Sequence, residues 1–215
     1  MRSHSEIVDS LIRPGVVAVI RTPKPEPIPA LCAALVAGGV TALEITMTTP
    51  GALDLLPALS RQFSGQAVVG VGSITSMRIC RAALEAGAEF VVSPVLKPEL
   101  IEVAHSQNRV AIIGAYTPTE AQAAYEGGAD FIKIFPADGL GPGYVKSIRA
   151  ALPHLRIIPT GGVDLDNAAE FLSAGCVALG VGSSLITPEI LRHEKWAELT
   201  QLAARFVEIA KKLVH

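Results

Sequence analysis

Eight short runs rich in β-branched residues recur along this chain, and they constrain its fold more than any other feature. The runs begin roughly 20 to 26 residues apart, and segments rich in alanine and leucine separate them. The predicted strands span residues 16–21, 41–46, 67–73, 90–94, 110–115, 131–136, 156–162 and 177–183. Strands that alternate with helices at this spacing form βαβ units, whose strands lie parallel in one sheet.

Eight such units fit a closed barrel, so the predicted fold is a small, single-domain (β/α)8 TIM barrel of the α/β class over residues 1–215. An open, doubly wound sheet is the alternative. A nucleotide-binding sheet of that kind carries GxGxxG after its first strand, whereas this chain reads RTPKP at residues 21–25. We also predict an N-terminal helix at about residues 3–13 and a closing amphipathic helix at about residues 194–214.

The composition narrows the classes of protein and of partner. Hydrophobic residues make up 50% of the chain, enough for a large core, and the net charge of -2 with 5% aromatic residues argues against nucleic acid as a partner. No apolar run reaches the ~18–20 residues of a membrane-spanning helix, and the first residues lack a signal-peptide pattern. Cys32, Cys80 and Cys176 form no disulfide framework. We therefore expect a soluble, cytoplasmic protein without a membrane partner.

Two ionisable residues interrupt the apolar strands. Glu44 lies within the second run and Lys133 within the sixth, although strands buried on both faces are normally apolar throughout. Strand alternation places Leu43 and Ile45 against the helices and turns Glu44 towards the barrel interior, as it does Lys133. Strands two and six lie opposite each other in a ring of eight, so these two long side chains can approach within the narrow interior.

This pair is open to a structural and to a catalytic interpretation. A buried ion pair costs desolvation free energy that apolar residues avoid, so structure alone explains it poorly, and we favour catalysis. Burial among Phe131, Ile134 and Phe135 favours a neutral lysine, which can attack a carbonyl group and form a Schiff base. The iminium then accepts electrons when a neighbouring bond breaks, and Glu44 can move the protons.

Glycine-rich sequences close the last two predicted strands. They read PTGGV at residues 159–163 and GVGSS at residues 180–184. In (β/α)8 barrels these two loops often bind phosphate through backbone N–H groups, although glycines also serve simple tight strand exits. The phosphate candidates are Gly161, Gly162, Gly182, Ser183 and Ser184. Ser73 ends a third turn, GVGS, where it could contact a substrate carboxylate.

No metal or cofactor is predicted. The five histidines are scattered, none lies at the carboxyl end of a predicted strand, and no metal-binding motif occurs. Asp130 and Asp138 flank strand six, but two carboxylates are a weak metal signal.

Several of these motifs together resemble a known family. The segments LEIT at 43–46, GVGS at 70–73, GAEFVVSP at 87–94, KIFPA at 133–137 and PTGGV at 159–163 resemble the class I 2-keto-3-deoxy-6-phosphogluconate (KDPG)/4-hydroxy-2-oxoglutarate aldolases. The similarity runs from about residue 16 to residue 185. It implies a (β/α)8 barrel, usually a homotrimer, that cleaves KDPG reversibly to pyruvate and glyceraldehyde 3-phosphate in Entner–Doudoroff metabolism, and also 4-hydroxy-2-oxoglutarate to pyruvate and glyoxylate.

The resemblance implies a role for each matching residue. Lys133 is the Schiff-base lysine and Glu44 the acid/base. The implied substrate contacts are Ser73 and Thr160 near the carboxylate or bound substrate, Phe135 as a pocket wall, and Gly161, Gly162 and Ser184 at the phosphate. Well-known members carry an arginine four residues after the glutamate, where this chain has Thr48. We therefore hypothesise that Arg21, which closes strand one, binds the substrate carboxylate.

Three other functions stay open from the sequence. The first is an aldolase for the galactonate epimer, a substrate that differs from KDPG in the configuration of one hydroxyl group. A phosphate-binding barrel isomerase or synthase would use Lys133 without a covalent intermediate. A non-catalytic sensor of sugar phosphates would not need a buried Glu44 and Lys133, so we rank it last.

Overall fold

The computed structural model describes residues 2–213 and contains one parallel sheet of eight strands in the order β7-β6-β5-β4-β3-β2-β1-β8. The strands are β1 Val16–Ile20, β2 Ala42–Thr46, β3 Val68–Gly72, β4 Phe90–Val92, β5 Val110–Ala115, β6 Phe131–Ile134, β7 Ile157–Pro159 and β8 Leu179–Val181. β1 pairs with both β2 and β8, and a parallel bridge between Thr160 and Gly180 brings β7 to β8. The sheet is thus a nearly closed barrel, which confirms the predicted (β/α)8 fold over the open sheet.

Helices alternate with the strands and surround the barrel. They are α1 His4–Ile12, α2 Ile28–Ala37, α3 Ala52–Gln62, α4 Met77–Glu85, α5 Glu99–His105, α6 Pro118–Glu126, α7 Gly141–Ala151, α8 Ala168–Ser173, α9 Pro188–His193 and α10 Trp196–Leu213. A capping box begins α6, in which the Thr117 side chain accepts from the Glu120 N–H while the Glu120 carboxylate accepts from the Thr117 N–H. Val214, in the predicted closing helix, lies outside the described residues.

The buried side chains form two clusters, one on each face of the sheet. The outer cluster lies between strands and helices and includes Leu43 and Ile45 of β2. The inner cluster fills the amino-terminal part of the barrel, and its members are Ile7, Leu11, Val17, Ala42, Val68, Phe90, Val92, Val110, Ile112, Phe131, Ile158 and Ala178. The alternation predicted for β2 and β6 is therefore confirmed.

The inner cluster determines where polar chemistry can take place. Ile7 and Leu11 of α1 are fully buried in it, so this helix closes the amino-terminal end of the barrel. The inward polar side chains of β2 and β6 lie further along the strands, towards their carboxyl ends. Within residues 2–213, no helix is both long enough and apolar enough to cross a lipid bilayer.

Candidate active site

Glu44 and Lys133 meet inside the barrel. Nζ of Lys133 lies 3.5 Å from Oε1 of Glu44, and the two residues are only 5% and 3% exposed. Nζ also lies 5.3 Å from the centroid of the Phe135 ring. The structure thus brings together the two predicted catalytic residues across the ring, and it sets an amine beside a group that can accept its proton.

Two glycines of β3 make room for side chains inside the barrel. A Cβ atom at Gly72 would lie 1.8 Å from Oε1 of Glu44, and a Cβ atom at Gly70 would collide with the ring of Phe90. Ser73 follows directly with a φ of 63°, a left-handed conformation that is uncommon for serine and recurs at functional sites. The space that the Glu44 carboxylate occupies therefore explains the glycine at position 72, and the Phe90 ring explains the glycine at position 70.

A cavity of about 1000 Å³ opens at the carboxyl ends of the strands. Glu44 and Lys133 are not among its lining residues, but two of their neighbours are: Phe135, and Val19, which is the β1 partner of Glu44. Most of the predicted substrate-binding residues line it: Arg21, Phe135, Thr160, Gly161, Gly162, Gly182 and Ser183. This is the face on which (β/α)8 barrels carry their active sites.

Two of the predicted substrate-binding residues lie outside the cavity lining. The hydroxyl group of Ser184 donates to the carbonyl oxygen of Val163 and so ties the loop after β8 to the loop after β7. Ser73 lies at the end of β3, next to the glycine that contacts Glu44. Neither side chain belongs to the cavity lining found among the described residues.

The loop after β7 depends on glycine. Gly161 and Gly162 have φ values of 88° and 71°, and a Cβ atom at Gly162 would lie 2.4 Å from the Cβ atom of Asp138. Asn167 donates from its side-chain amide to the carbonyl oxygen of Gly162 and holds the turn. This backbone faces the cavity without side chains, which is the arrangement that lets N–H groups approach an anion.

Sequence reasoning missed several large side chains of the cavity, among them two cations and a tryptophan. Lys24, Arg192 and Trp196 line it. With Arg21, the described part of the lining therefore has three cationic side chains, against the two carboxylates of Glu26 and Glu194. Lys24 belongs to the loop after β1, and its position after a strand was the one available signal. Arg192 and Trp196 lie in α9 and α10, where nothing local marks them. Thr48, at the position of the family arginine, is exposed, and its hydroxyl lies 2.9 Å from that of Thr46.

The cysteines offer no competing nucleophile. Cys32, Cys80 and Cys176 are buried and free, as predicted. Burial raises the pKa of Cys32 and Cys176 to about 12 and that of Cys80 to about 11, so none forms a thiolate near neutral pH.

A parallel eight-stranded barrel with polar residues and glycine loops at the carboxyl ends of its strands defines the class of (β/α)8-barrel enzymes. The family model described as KDPG and KHG aldolase matches residues 7–202. The chain belongs to this family, and it is a lyase of the aldolase type.

Relatives and a solved structure extend this comparison. A probable 2-dehydro-3-deoxy-6-phosphogalactonate aldolase of Rhizobium meliloti is 34% identical over 80% of this chain and 82% of its own length. A 2-dehydro-3-deoxy-phosphogluconate aldolase of Pseudomonas aeruginosa is 32% identical over 94% of this chain and 92% of its own length. The KDPG aldolase of Legionella pneumophila, solved with pyruvate captured as a covalent carbinolamine intermediate, superposes with a TM-score of 0.78 at 25% identity, covering 97% of this chain and 98% of that chain.

Proposed function

We propose that this protein is a Schiff-base aldolase that cleaves KDPG reversibly to pyruvate and glyceraldehyde 3-phosphate. The observation that carries the proposal is the buried pair, in which Nζ of Lys133 lies 3.5 Å from the Glu44 carboxylate beside the cavity. The relative named 2-dehydro-3-deoxy-phosphogluconate aldolase supports the choice of substrate.

Schiff-base formation begins at the lysine. Lys133 gives its proton to Glu44, and the neutral amine attacks the C2 carbonyl carbon of the keto acid to form a carbinolamine. Glu44 returns a proton to the carbinolamine hydroxyl, which leaves as water, and the nitrogen becomes an iminium. The covalent carbinolamine of the Legionella aldolase supports this step.

The iminium makes carbon–carbon cleavage possible. Glu44 removes the proton of the C4 hydroxyl, the C3–C4 bond breaks, and its electron pair moves to the iminium nitrogen through an enamine. The aldehyde leaves, Glu44 returns the proton that it took to C3 of the enamine, and water hydrolyses the new iminium to pyruvate and free Lys133. Each step conserves atoms and charge and needs no redox partner.

The cavity suits the two charged ends of the substrate. We place the carboxylate at Arg21, whose guanidinium lines the cavity and matches a carboxylate through two parallel hydrogen bonds. We place Thr160, which also lines the cavity, and Ser73 near the carboxylate or the bound substrate, with Phe135 as a wall of the pocket. We place the phosphate at the backbone of Gly161, Gly162 and Gly182, with Ser183 and Ser184 as neighbours.

The galactonate epimer is a second candidate substrate. The relative of Rhizobium meliloti is named for the phosphogalactonate reaction, at an identity close to that of the phosphogluconate relative. The two sugar acids differ at one hydroxyl group, so the ratio of kcat/KM for the two substrates identifies the preferred one. Cleavage of 4-hydroxy-2-oxoglutarate to pyruvate and glyoxylate belongs in the same assay.

The proposal extends to assembly and location. We infer a homotrimer, the usual assembly in the family that the sequence motifs resemble, and a cytoplasmic location, where phosphorylated sugar acids are found. Sedimentation equilibrium tests the first, since a trimer has three times the mass of one chain, and cell fractionation tests the second.

Borohydride trapping with pyruvate tests the Schiff base directly. We expect a pyruvyl adduct in the intact mass and, after digestion, on the peptide that contains Lys133. Lys133→Met should lose both adduct and activity, while Lys146→Met, which removes an exposed lysine of α7, should keep both. A folded protein without an adduct would support the alternative barrel isomerase or synthase and would contradict the Schiff-base proposal.

A further inference from the structure

Two histidines and an aspartate meet at the amino-terminal end of the barrel, away from the cavity. Nε2 of His4 lies 2.9 Å from Oδ1 of Asp130, and Nε2 of His105 lies 2.9 Å from Oδ2 of the same carboxylate. His4 begins α1, His105 ends α5, and Asp130 directly precedes β6. The histidines are far apart in sequence, so the scattered pattern concealed this cluster.

The spacing of these groups suits a metal ion. One ligand atom from each residue lies within 4.8 Å of the other two. Zinc binds imidazole nitrogen at about 2.0–2.1 Å, which in a tetrahedral site sets neighbouring ligand atoms roughly 3.3 Å apart. Each histidine nitrogen lies 2.9 Å from its own oxygen of the Asp130 carboxylate, so an ion held by all three residues requires small shifts of the side chains.

One nitrogen of the cluster lacks an adequate partner. Nε2 of His4 is buried and makes no hydrogen bond of acceptable geometry, although Oδ1 of Asp130 is 2.9 Å away. A simple ion pair does not explain this arrangement well, because it would align the N–H group with the carboxylate. A metal ion would satisfy the nitrogen through its lone pair instead.

The surroundings hold the carboxylate in place. The backbone N–H of Ala111 donates to Oδ2 of Asp130 over 2.8 Å, the kind of outer contact that orients a ligand. The Arg156 guanidinium lies close enough to interact electrostatically with Asp130, and it packs 4.2 Å from the centroid of the Phe131 ring. The positive charge of Arg156 repels a divalent ion, so we expect the site to bind metal with moderate affinity rather than to be permanently occupied.

We propose that His4, His105 and Asp130 bind a divalent transition-metal ion such as Zn²⁺, with water completing the coordination. Two imidazoles and one carboxylate are ligands that Zn²⁺ and Co²⁺ accept. The ligands come from α1, α5 and the residue that precedes β6. A bound ion would therefore link α1, which closes the amino-terminal end, to the rest of the barrel. Its role is structural, since it lies at the end opposite the Glu44–Lys133 pair.

Cobalt and zinc titrations of the full, tag-free chain test this assignment. We expect one Co²⁺ per chain with the visible absorption of a low-symmetry site, displaced by Zn²⁺. His4→Ala and His105→Ala should each lower the Zn²⁺ affinity at least ~10-fold, because loss of even an outer partner of a metal ligand costs about 10–100-fold. His154→Ala is the matched control, because His154 is exposed and bonded to Gln122, away from the cluster.

Thermal unfolding gives a second readout. Excess Zn²⁺ should raise the unfolding temperature of the unsubstituted chain and not that of His4→Ala, because a ligand stabilises only the state that binds it. Equal Zn²⁺ affinity in the unsubstituted chain and in His4→Ala would overturn the proposal and leave an ion-pair cluster. Loss of cleavage activity on chelation of the folded protein would overturn the structural role. Neither result changes the test of the Schiff base, which uses Lys133.

Discussion

Glu44 is the residue whose substitution best separates proton transfer from binding. Glu44→Gln replaces the carboxylate, which lies against Gly72, with an amide of the same size that is not a base. Because a positioned acid or base contributes about 10²–10⁴-fold, we expect kcat for cleavage to fall by that factor while the folded state persists. Steady-state kinetics measure the loss, with Glu126→Gln, an exposed change on α6, as the control. An unchanged kcat would remove Glu44 from the mechanism.

Arg21 is the residue that we propose binds the substrate carboxylate, since this chain has no arginine at position 48. A charged hydrogen bond contributes about 1.5–3 kcal/mol, and the exposure of Arg21 reduces that contribution, so we expect Arg21→Ala to raise the KM for pyruvate in the condensation direction about 10-fold. Arg78→Ala on the exposed face of α4 should leave it unchanged. Equal KM values in both variants would assign the carboxylate to another group.

The site role of a single residue could be predicted where that residue departs from the usual pattern of its element. Glu44 and Lys133 stand out because charges interrupt apolar strands, and strand alternation alone turns both inward. Arg192 and Trp196 break no rule, since cations and aromatic residues are ordinary in amphipathic helices. Their place in the cavity depends on how α9 and α10 pack, which a local pattern does not contain.

At the scale of elements, the loop after β7 offers a test of the proposed phosphate site. Gly162→Ala introduces a Cβ atom 2.4 Å from that of Asp138 at a φ of 71°, so the loop has to move. Such strain costs about 1–3 kcal/mol, and we expect the KM for the phosphorylated substrate to rise about 10-fold while pyruvate trapping at Lys133 persists. Gly139→Ala is the control, because no atom lies within 4 Å of its Cβ position. Equal KM values in Gly162→Ala and Gly139→Ala would show that the phosphate binds outside this loop.

The same loop shows why element boundaries were harder to predict than element types. All eight strands lie where β-branched runs predicted them, but the run at residues 156–162 yields a strand of only Ile157–Pro159. The run ends early because Gly161 and Gly162 adopt positive φ values, which leave the extended region.

At the scale of the whole molecule, the barrel separates stability from chemistry, and α1 provides the test. Leu11 is fully buried in the inner cluster that closes the amino-terminal end, while the Glu44–Lys133 pair lies towards the carboxyl ends. Leu11→Ala should lower the free energy of unfolding by about 2–5 kcal/mol, because it removes apolar contacts and leaves a cavity. Chemical denaturation measures that loss. Val8→Ala, partly buried on the same helix, should cost less. The activity of the same variant tests the separation of the two ends. Well below its unfolding temperature, Leu11→Ala should have the same kcat/KM as the unsubstituted chain. The reason is that, among the described residues, none of the cavity lining comes from α1. A kcat/KM that falls while the variant stays folded would show that the two ends of the barrel are coupled.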